Sequence, residues 1–168
     1  MPLRGFEWCL ALALLCFGCG GGGSLRGHVY EDGEATYRVG PPGSAWQRIE
    51  LSQNDLAWHD PSTHAIIQVN ATCDPFRDVP LTSLTNHLLI GFTDRERVSS
   101  DTVRLDGREA LRTHVLASLD GVPRALLLYV LKKDECTYDF ALIAPPDSYR
   151  EAEPSFERFV GGFTTVTP

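Results

Sequence analysis

The stretch VPRALLLYVLK, from Val122 to Lys132, decides the fold of this chain. Its centre, Leu126–Leu131, is almost entirely apolar, which predicts a β-strand covered on both faces. Strand-like runs lie on either side of it: Val98–Leu105 and Glu109–Leu119 before, and Cys136–Ile143 after. We therefore expect an antiparallel meander with this stretch near its centre.

The turns of this meander are marked by residues that tolerate positive φ. They are Asp106-Gly107, Asp120-Gly121 and Lys133-Asp134-Glu135. An Asp-Gly pair between two alternating runs is a strong signal for a tight hairpin. The sequence thus predicts that each strand of the meander pairs with the next one along the chain.

Shorter strands precede the meander. The pattern predicts strands at Thr36–Val39 and Ala45–Leu51, followed by a hairpin of Leu56–His59 with Ala65–Ala71. The polar, Pro-containing segment 60–63 connects the two strands of this hairpin.

Two segments have helical periodicity instead. The first opens at Pro80, a favourable first-turn residue, and its apolar face is Leu81, Leu84, Leu88, Leu89 and Phe92. The second ends at Gly161-Gly162, and its apolar face is Tyr149, Ala152, Phe156, Phe159, Val160 and Phe163.

Two helices packed against an antiparallel sheet of six or seven strands make an α+β domain. The predicted core consists of the residues on the apolar phase of each segment. These are Trp46, Ile49, Ile67, Val69, Leu84, Leu88, Leu127, Tyr129, Phe140, Leu142, Phe156 and Phe159.

The order of these elements resembles that of the PsbP-like superfamily. The similarity covers residues 34–166 and rests on the turn Pro42-Gly43-Ser44-Ala45-Trp46, the mid-chain helix, the meander and a closing helix with Phe156, Phe159 and Phe163. The superfamily includes DcrB-type bacterial lipoproteins. The resemblance implies a PsbP-like fold and an accessory or binding role, without a catalytic motif.

The N-terminus has the pattern of an export signal. Arg4 precedes a short apolar run, Trp8–Phe17, which is about half the roughly 20 residues that a membrane span needs. Cys16-Phe17-Gly18-Cys19 resembles the lipobox of bacterial lipoproteins, although Cys16 stands where Leu is usual. This resemblance implies a signal peptide at 1–18 and lipidation of Cys19.

The segment after the signal is predicted to be a tether. Gly20–Gly23 is typical of a flexible linker, and we assign 19–33 to the lipidated cysteine and tether and 34–168 to a single domain. In lipoproteins an Asp after the cysteine favours the inner membrane, so Gly20 favours the outer membrane, on its periplasmic side. Cleavage by ordinary signal peptidase near Gly18–Gly22 is the alternative.

Cys73 and Cys136 are the two cysteines left in the domain. A pair of cysteines in an exported domain predicts a disulfide. A metal-binding or redox pair is the rival interpretation, but the sequence has no CxxC motif and no His close to either cysteine.

Charge and motifs exclude several functions. The formal net charge of −7 disfavours nucleic-acid binding, and the motifs of serine hydrolases, zinc proteases and nucleotide-binding loops are absent. The segment His59-Asp60-x-x-x-His64 could hold a divalent metal if Asp55 converged on it, although an exposed hairpin tip is the simpler interpretation. His87 and His114 fit a helix boundary and a strand.

We therefore predict a membrane-tethered, non-catalytic binding or assembly module of the bacterial cell envelope. It would use no cofactor, metal or nucleic acid, and its partner would be an unidentified envelope protein. The alternative is a small metal-dependent hydrolase that uses the 55–64 turn.

Overall fold

The computed structural model describes residues 23–74 and 78–166. The predicted signal peptide and Cys19 lie outside these residues. Within the described ranges, no helix combines the length and the apolar character that a membrane span requires.

The described chain forms eleven strands and two helices. In chain order they are β1 (Ser24–Arg26), β2 (Val29–Glu31), β3 (Thr36–Arg38), β4 (Gln47–Ile49), β5 (Leu56–Asp60), β6 (Ala65–Cys73), α1 (Leu81–His87), β7 (Phe92–Leu105), β8 (Arg108–Leu119), β9 (Val122–Lys133), β10 (Cys136–Ala144), α2 (Tyr149–Gly161) and β11 (Thr164–Thr165). A large sheet has the order β4-β5-β6-β10-β9-β8-β7, and a small sheet has the order β1-β2-β3-β11. All pairings are antiparallel.

The predicted α+β class, with two helices and an antiparallel sheet of six or seven strands, is confirmed, and the large sheet has seven strands. Strand β9 lies between β10 and β8, and Leu126–Leu131 is buried throughout. One face of the strand packs into the main core with α2, and the other packs into a second cluster with Leu89 and Phe92. The continuous apolar run is explained by burial on both faces.

The sequence predicts one strand of the small sheet, Thr36–Val39, which is β3 in the structure. The other three strands have two or three residues each, too few for an alternating pattern to be read. Residues 24–31 belong to this sheet, so the predicted tether of 19–33 is too long at its C-terminal end. Asp106, in the β7–β8 turn, joins the two sheets: it accepts hydrogen bonds from Lys133 Nζ (2.6 Å) and from the backbone N of Thr165 in β11 (2.8 Å).

The predicted first helix is also too long. Helix α1 ends at His87, the following turns include Gly91 at φ 90°, and Phe92 begins β7. Leu89 and Phe92 still pack against the sheet, but from the turn and the strand. Of the predicted core, Ile49, Leu84 and Leu88 are half-buried and the other nine residues are buried.

The predicted disulfide between Cys73 and Cys136 is confirmed. The two residues are directly opposite each other on β6 and β10, and the backbone N of Asp74 donates to the carbonyl of Glu135 next to them. This arrangement makes the cysteines a non-hydrogen-bonded pair, the closer type of antiparallel pair. Their Cα atoms are accordingly 3.9 Å apart, below the usual range of about 4.4–6.8 Å.

Three two-residue turns connect the strands β7 to β10. Two of them are Asp-Gly, whereas the third is Asp134-Glu135. Glu135 has φ 64° at the position that Gly107 and Gly121 occupy in the other two turns. A left-handed conformation disfavours any residue with a Cβ. We expect Glu135→Gly to raise the free energy of unfolding by about 0.5–1 kcal/mol, measured by urea denaturation.

Gly121→Ala is the matched control for this turn. Gly121 has φ 77°, and a Cβ there would contact nothing within 4 Å, so only backbone strain is introduced. We expect this change to lower stability by about 1 kcal/mol. Equal effects of the two variants would contradict the assignment of strain to Glu135.

Candidate functional site

A cavity lies between α1 and the face of the large sheet that faces away from α2. It has a volume of about 140 Å³, and we call it the α1 cavity. The residues that line it are Thr72, Asp74, Val79, Leu84, His87, Leu88, Val130, Lys132, Thr137 and Asp139. Of the histidines considered from sequence, His87 alone lies here.

The polar floor of the cavity comes from the register of β6 with β10. Thr137 is opposite Thr72, and Asp139 is opposite Asn70. Side chains of a strand alternate between faces, so Tyr138 and Phe140 point into the main core while Thr137 and Asp139 point towards α1. One side of the cavity is therefore polar, with Thr137 and Asp139 half-buried and Thr72 exposed.

Asp139 is the charged group on this floor. Its Oδ1 accepts a hydrogen bond from Asn70 Nδ2 at 3.1 Å, whereas no residue of the described chain donates to Oδ2. Burial raises the pKa of Asp139 to about 6; the bond from Asn70 opposes this shift, and the negative charge of Asp55 adds to it. The carboxylate is thus held in a place that disfavours its charge.

The other hydrogen bonds of Asn70 determine which atom of its amide group faces Asp139. Its Oδ1 accepts from Asn54 Nδ2 and from the backbone N of Asp55, both at 3.2 Å. The amide nitrogen must then face Asp139, which can only accept. Asp55 itself accepts from Tyr37 Oη (3.0 Å) and from the backbone N of Ala71 (2.8 Å).

Replacing Asp139 with Asn is expected to raise the free energy of unfolding by about 2 kcal/mol near pH 8. A carboxyl whose pKa is about 6 in the fold, above its usual 3.8, favours folding at low pH, and this contribution is lost as the pH rises through 6. Asn keeps the acceptor for Asn70 and removes the charge. Urea unfolding of wild type and variant measures the difference.

The gain from Asp139→Asn should shrink near pH 5, where the wild-type carboxyl is largely protonated. Asp101→Asn, a change at an exposed carboxylate on β7, serves as control and should have little effect at either pH. Destabilisation by Asp139→Asn at both pH values would refute the description of Asp139 as an unfavourably buried charge.

A second charged cluster links β8 to α2. Arg112 donates to Glu153 Oε1 (3.0 Å) and Glu157 Oε1 (2.8 Å), and Tyr129 Oη donates to Glu157 Oε2 (2.6 Å). Burial would lower the pKa of Arg112, but its bonds to Glu157 raise it above the usual value. Each charged group has a partner, so we interpret this cluster as structural.

His114 is part of the same interface. Its ring stacks on Tyr149 of α2 with 4.6 Å between centroids, and burial lowers its pKa. Its Nε2 is buried without a hydrogen-bond partner in the described part of the chain. The strand position expected from the sequence is confirmed, and the ring serves as a packing surface for the helix.

The structure does not bring the candidate ligands of the 55–64 turn together into a cluster of three. Asp55 is engaged with Tyr37 and Ala71, His59 is half-buried on β5, and His64 is exposed in the turn at φ 54°. In 23–74 and 78–166, no group of three or more His, Cys, Asp or Glu side chains could hold a metal ion.

Sequence reasoning missed the residues of the cavity floor. The available signal was the polar pair Thr137 and Asp139 inside a strand whose other face is apolar, together with Asn70 and Thr72 in a partner strand. Combining the two strands required their register and the position of α1, which the pattern alone does not provide.

Comparisons with known proteins identify the fold. No protein-family model and no curated protein sequence matches the chain. A Bacteroides thetaiotaomicron protein matches with a TM-score of 0.56 and 12% identity, over 78% of this chain and 45% of its own. This chain thus spans less than half the length of that protein.

Two other solved structures match over most of their length. LpqN of Mycobacterium tuberculosis, described as involved in cell envelope biogenesis, has a TM-score of 0.55 and 13% identity, over 79% of this chain and 86% of LpqN. The cyanobacterial PsbP of Synechocystis sp. PCC 6803 has a TM-score of 0.55 and 14% identity, over 83% and 87%. At these identities the similarity concerns the fold, and the chain has a PsbP-like α+β fold.

Proposed function

We propose that the protein is a lipid-anchored, non-catalytic binding module on the periplasmic side of the bacterial outer membrane. The observation that carries the binding role is the α1 cavity, where Asp139 keeps a charge that burial disfavours. A residue that lowers stability and is nevertheless present is typical of a functional site.

Other observations support the location. Cys19 follows Gly18 in a lipobox-like segment, and the Cys73–Cys136 disulfide fits an oxidising compartment. LpqN, which shares the fold, is described as involved in cell envelope biogenesis. The alternative of a metal-dependent hydrolase has no ligand set among the described residues.

Cell fractionation with labelled palmitate tests the anchor. We expect the wild-type protein to carry the label and to sediment with outer membranes, because the acyl chains partition into the bilayer. Cys19→Ala should abolish labelling and release the protein or leave it unprocessed. Cys16→Leu, which restores the usual lipobox residue, should remain labelled.

The contradicting result is wild-type protein in the soluble periplasmic fraction with a free amino terminus near Gly20. That outcome would show cleavage by ordinary signal peptidase and would remove the anchor from the proposal. Retention of label in Cys19→Ala would place the modification on another residue and would likewise contradict it.

A further inference from the structure

The size of the α1 cavity limits what it can bind. A cavity of about 150 Å³ holds a molecule the size of benzene, and this one has about 140 Å³. It can therefore take a group of a few heavy atoms, such as one side chain or one small molecule. A larger ligand could place only its end inside.

The walls and the floor have different chemistry. Four aliphatic side chains contribute the apolar walls, namely Val79, Leu84, Leu88 and Val130. The floor carries the carboxylate of Asp139 and the hydroxyls of Thr72 and Thr137. Neither hydroxyl forms a hydrogen bond within the described part of the chain. An occupant that satisfies both surfaces has an apolar stem and a polar head that donates hydrogen bonds.

The charges favour a cationic head. Asp139 carries a negative charge, offers an unpartnered Oδ2 and cannot donate when ionised. Lys132, which also lines the cavity, forms an ion pair with Asp78 outside it, with Nζ–Oδ1 at 3.3 Å. An anionic ligand would meet the like charge of Asp139, whereas an ammonium group donates three hydrogen bonds and neutralises this charge.

We propose that the α1 cavity binds a primary ammonium group on an aliphatic stem of about four carbons. Asp139 would accept its hydrogen bonds on the floor, Thr72 and Thr137 would be further acceptors, and the stem would contact Leu84, Leu88 and Val130. This inference deepens the proposed function, on whose binding role it rests, by naming the class of ligand. The ligand is either a free alkylamine or the lysine side chain of a partner, which share this chemistry.

Titration of the full-length purified protein with n-butylammonium tests the proposal. Isothermal titration calorimetry and methyl NMR should show saturable binding, with shifts at Leu84, Leu88 and Val130. n-Butanol, which keeps the stem and lacks the charge, should bind about tenfold more weakly or worse. Asp139→Asn should weaken n-butylammonium to a similar degree, while Asp101→Asn should leave its affinity unchanged.

A second probe, Nα-acetyl-lysine methylamide, distinguishes the two possible sources of the ammonium group, a free alkylamine and the lysine side chain of a partner. Binding of both amines would assign the cavity to a lysine side chain, because its backbone can remain outside. Binding of n-butylammonium alone would assign it to a free amine. Both results support the ammonium site.

The proposal is overturned if n-butylammonium fails to bind in the tens-of-millimolar range expected to saturate a ligand of this size. It is also overturned if Asp139→Asn binds as tightly as wild type. Asp139→Asn is expected to be more stable than the wild type, so a loss of n-butylammonium binding in this variant cannot be attributed to unfolding. Fractionation tests the anchor separately, so failure of either hypothesis is recognised independently.

Discussion

Replacing Cys73 and Cys136 together with Ala is expected to lower the free energy of unfolding by about 4 kcal/mol. The disulfide closes a loop with a sequence separation of 63 residues, and it restricts the unfolded chain more than the folded one. A loss of this size is a large part of the stability of an ordinary domain. Urea denaturation of the wild type and the double variant measures it.

Two controls accompany this experiment. Addition of a reductant should destabilise the wild type to a similar extent and leave the double variant unaffected. Mass spectrometry of non-reduced tryptic peptides should find the segment ending at Arg77 linked to the segment beginning at Asp134. Two free thiols in the exported protein, or equal stability of the double variant, would refute the bridge as a stabilising element.

Replacing Gly162 with Ala is expected to lower the free energy of unfolding by about 3 kcal/mol. Gly162 ends α2 and lies against Gly40, so that a Cβ would be 2.5 Å from the Cα of Gly40. Backbone atoms cannot move aside as a flexible side chain can. The hydrogen bond from the N of Gly40 to the carbonyl of Phe159 (2.9 Å) would be strained by the displacement.

The neighbouring residue Gly161 is the matched control. It is the last residue of α2, and a Cβ there would have no atom within 4 Å. Gly161→Ala should therefore be neutral or stabilise by up to about 1 kcal/mol through helix propensity. Thermal denaturation of both variants decides the matter, and similar effects at the two positions would contradict the close-contact explanation.

The meander and the second helix could be predicted because their signals are local. The Asp-Gly turns set each hairpin, and alternation in β8 and β10 indicated which residues face the core. The disulfide could be predicted from the presence of two cysteines in an exported domain, although they are 63 positions apart. The hairpins and the helix depend on neighbours in sequence, and a sequence pattern contains those neighbours.

The strand pairings of the small sheet and the cavity depend on distant residues and could not be predicted. Strand β11 has only two residues, which pair with β3 and donate hydrogen bonds to Asp106 of a remote turn. The sequence predicts that Gly162 ends a helix, whereas the contact of Gly162 with Gly40 depends on the packing of distant segments. The sequence shows only that Asp139 is a polar residue in a strand. Its position beneath α1 depends on tertiary packing.

The small sheet brings the two ends of the described chain together, since β3 pairs with β2 on one side and with β11 on the other. Ribosomes deliver the N-terminal strands first, so β3 retains an open hydrogen-bonding edge until β11 has been synthesised. A nascent chain that stops before Thr164 keeps this edge unpaired, and Asp106 lacks the donors of Thr164 and Thr165. The small sheet is thus completed only after every strand of the large sheet has been made.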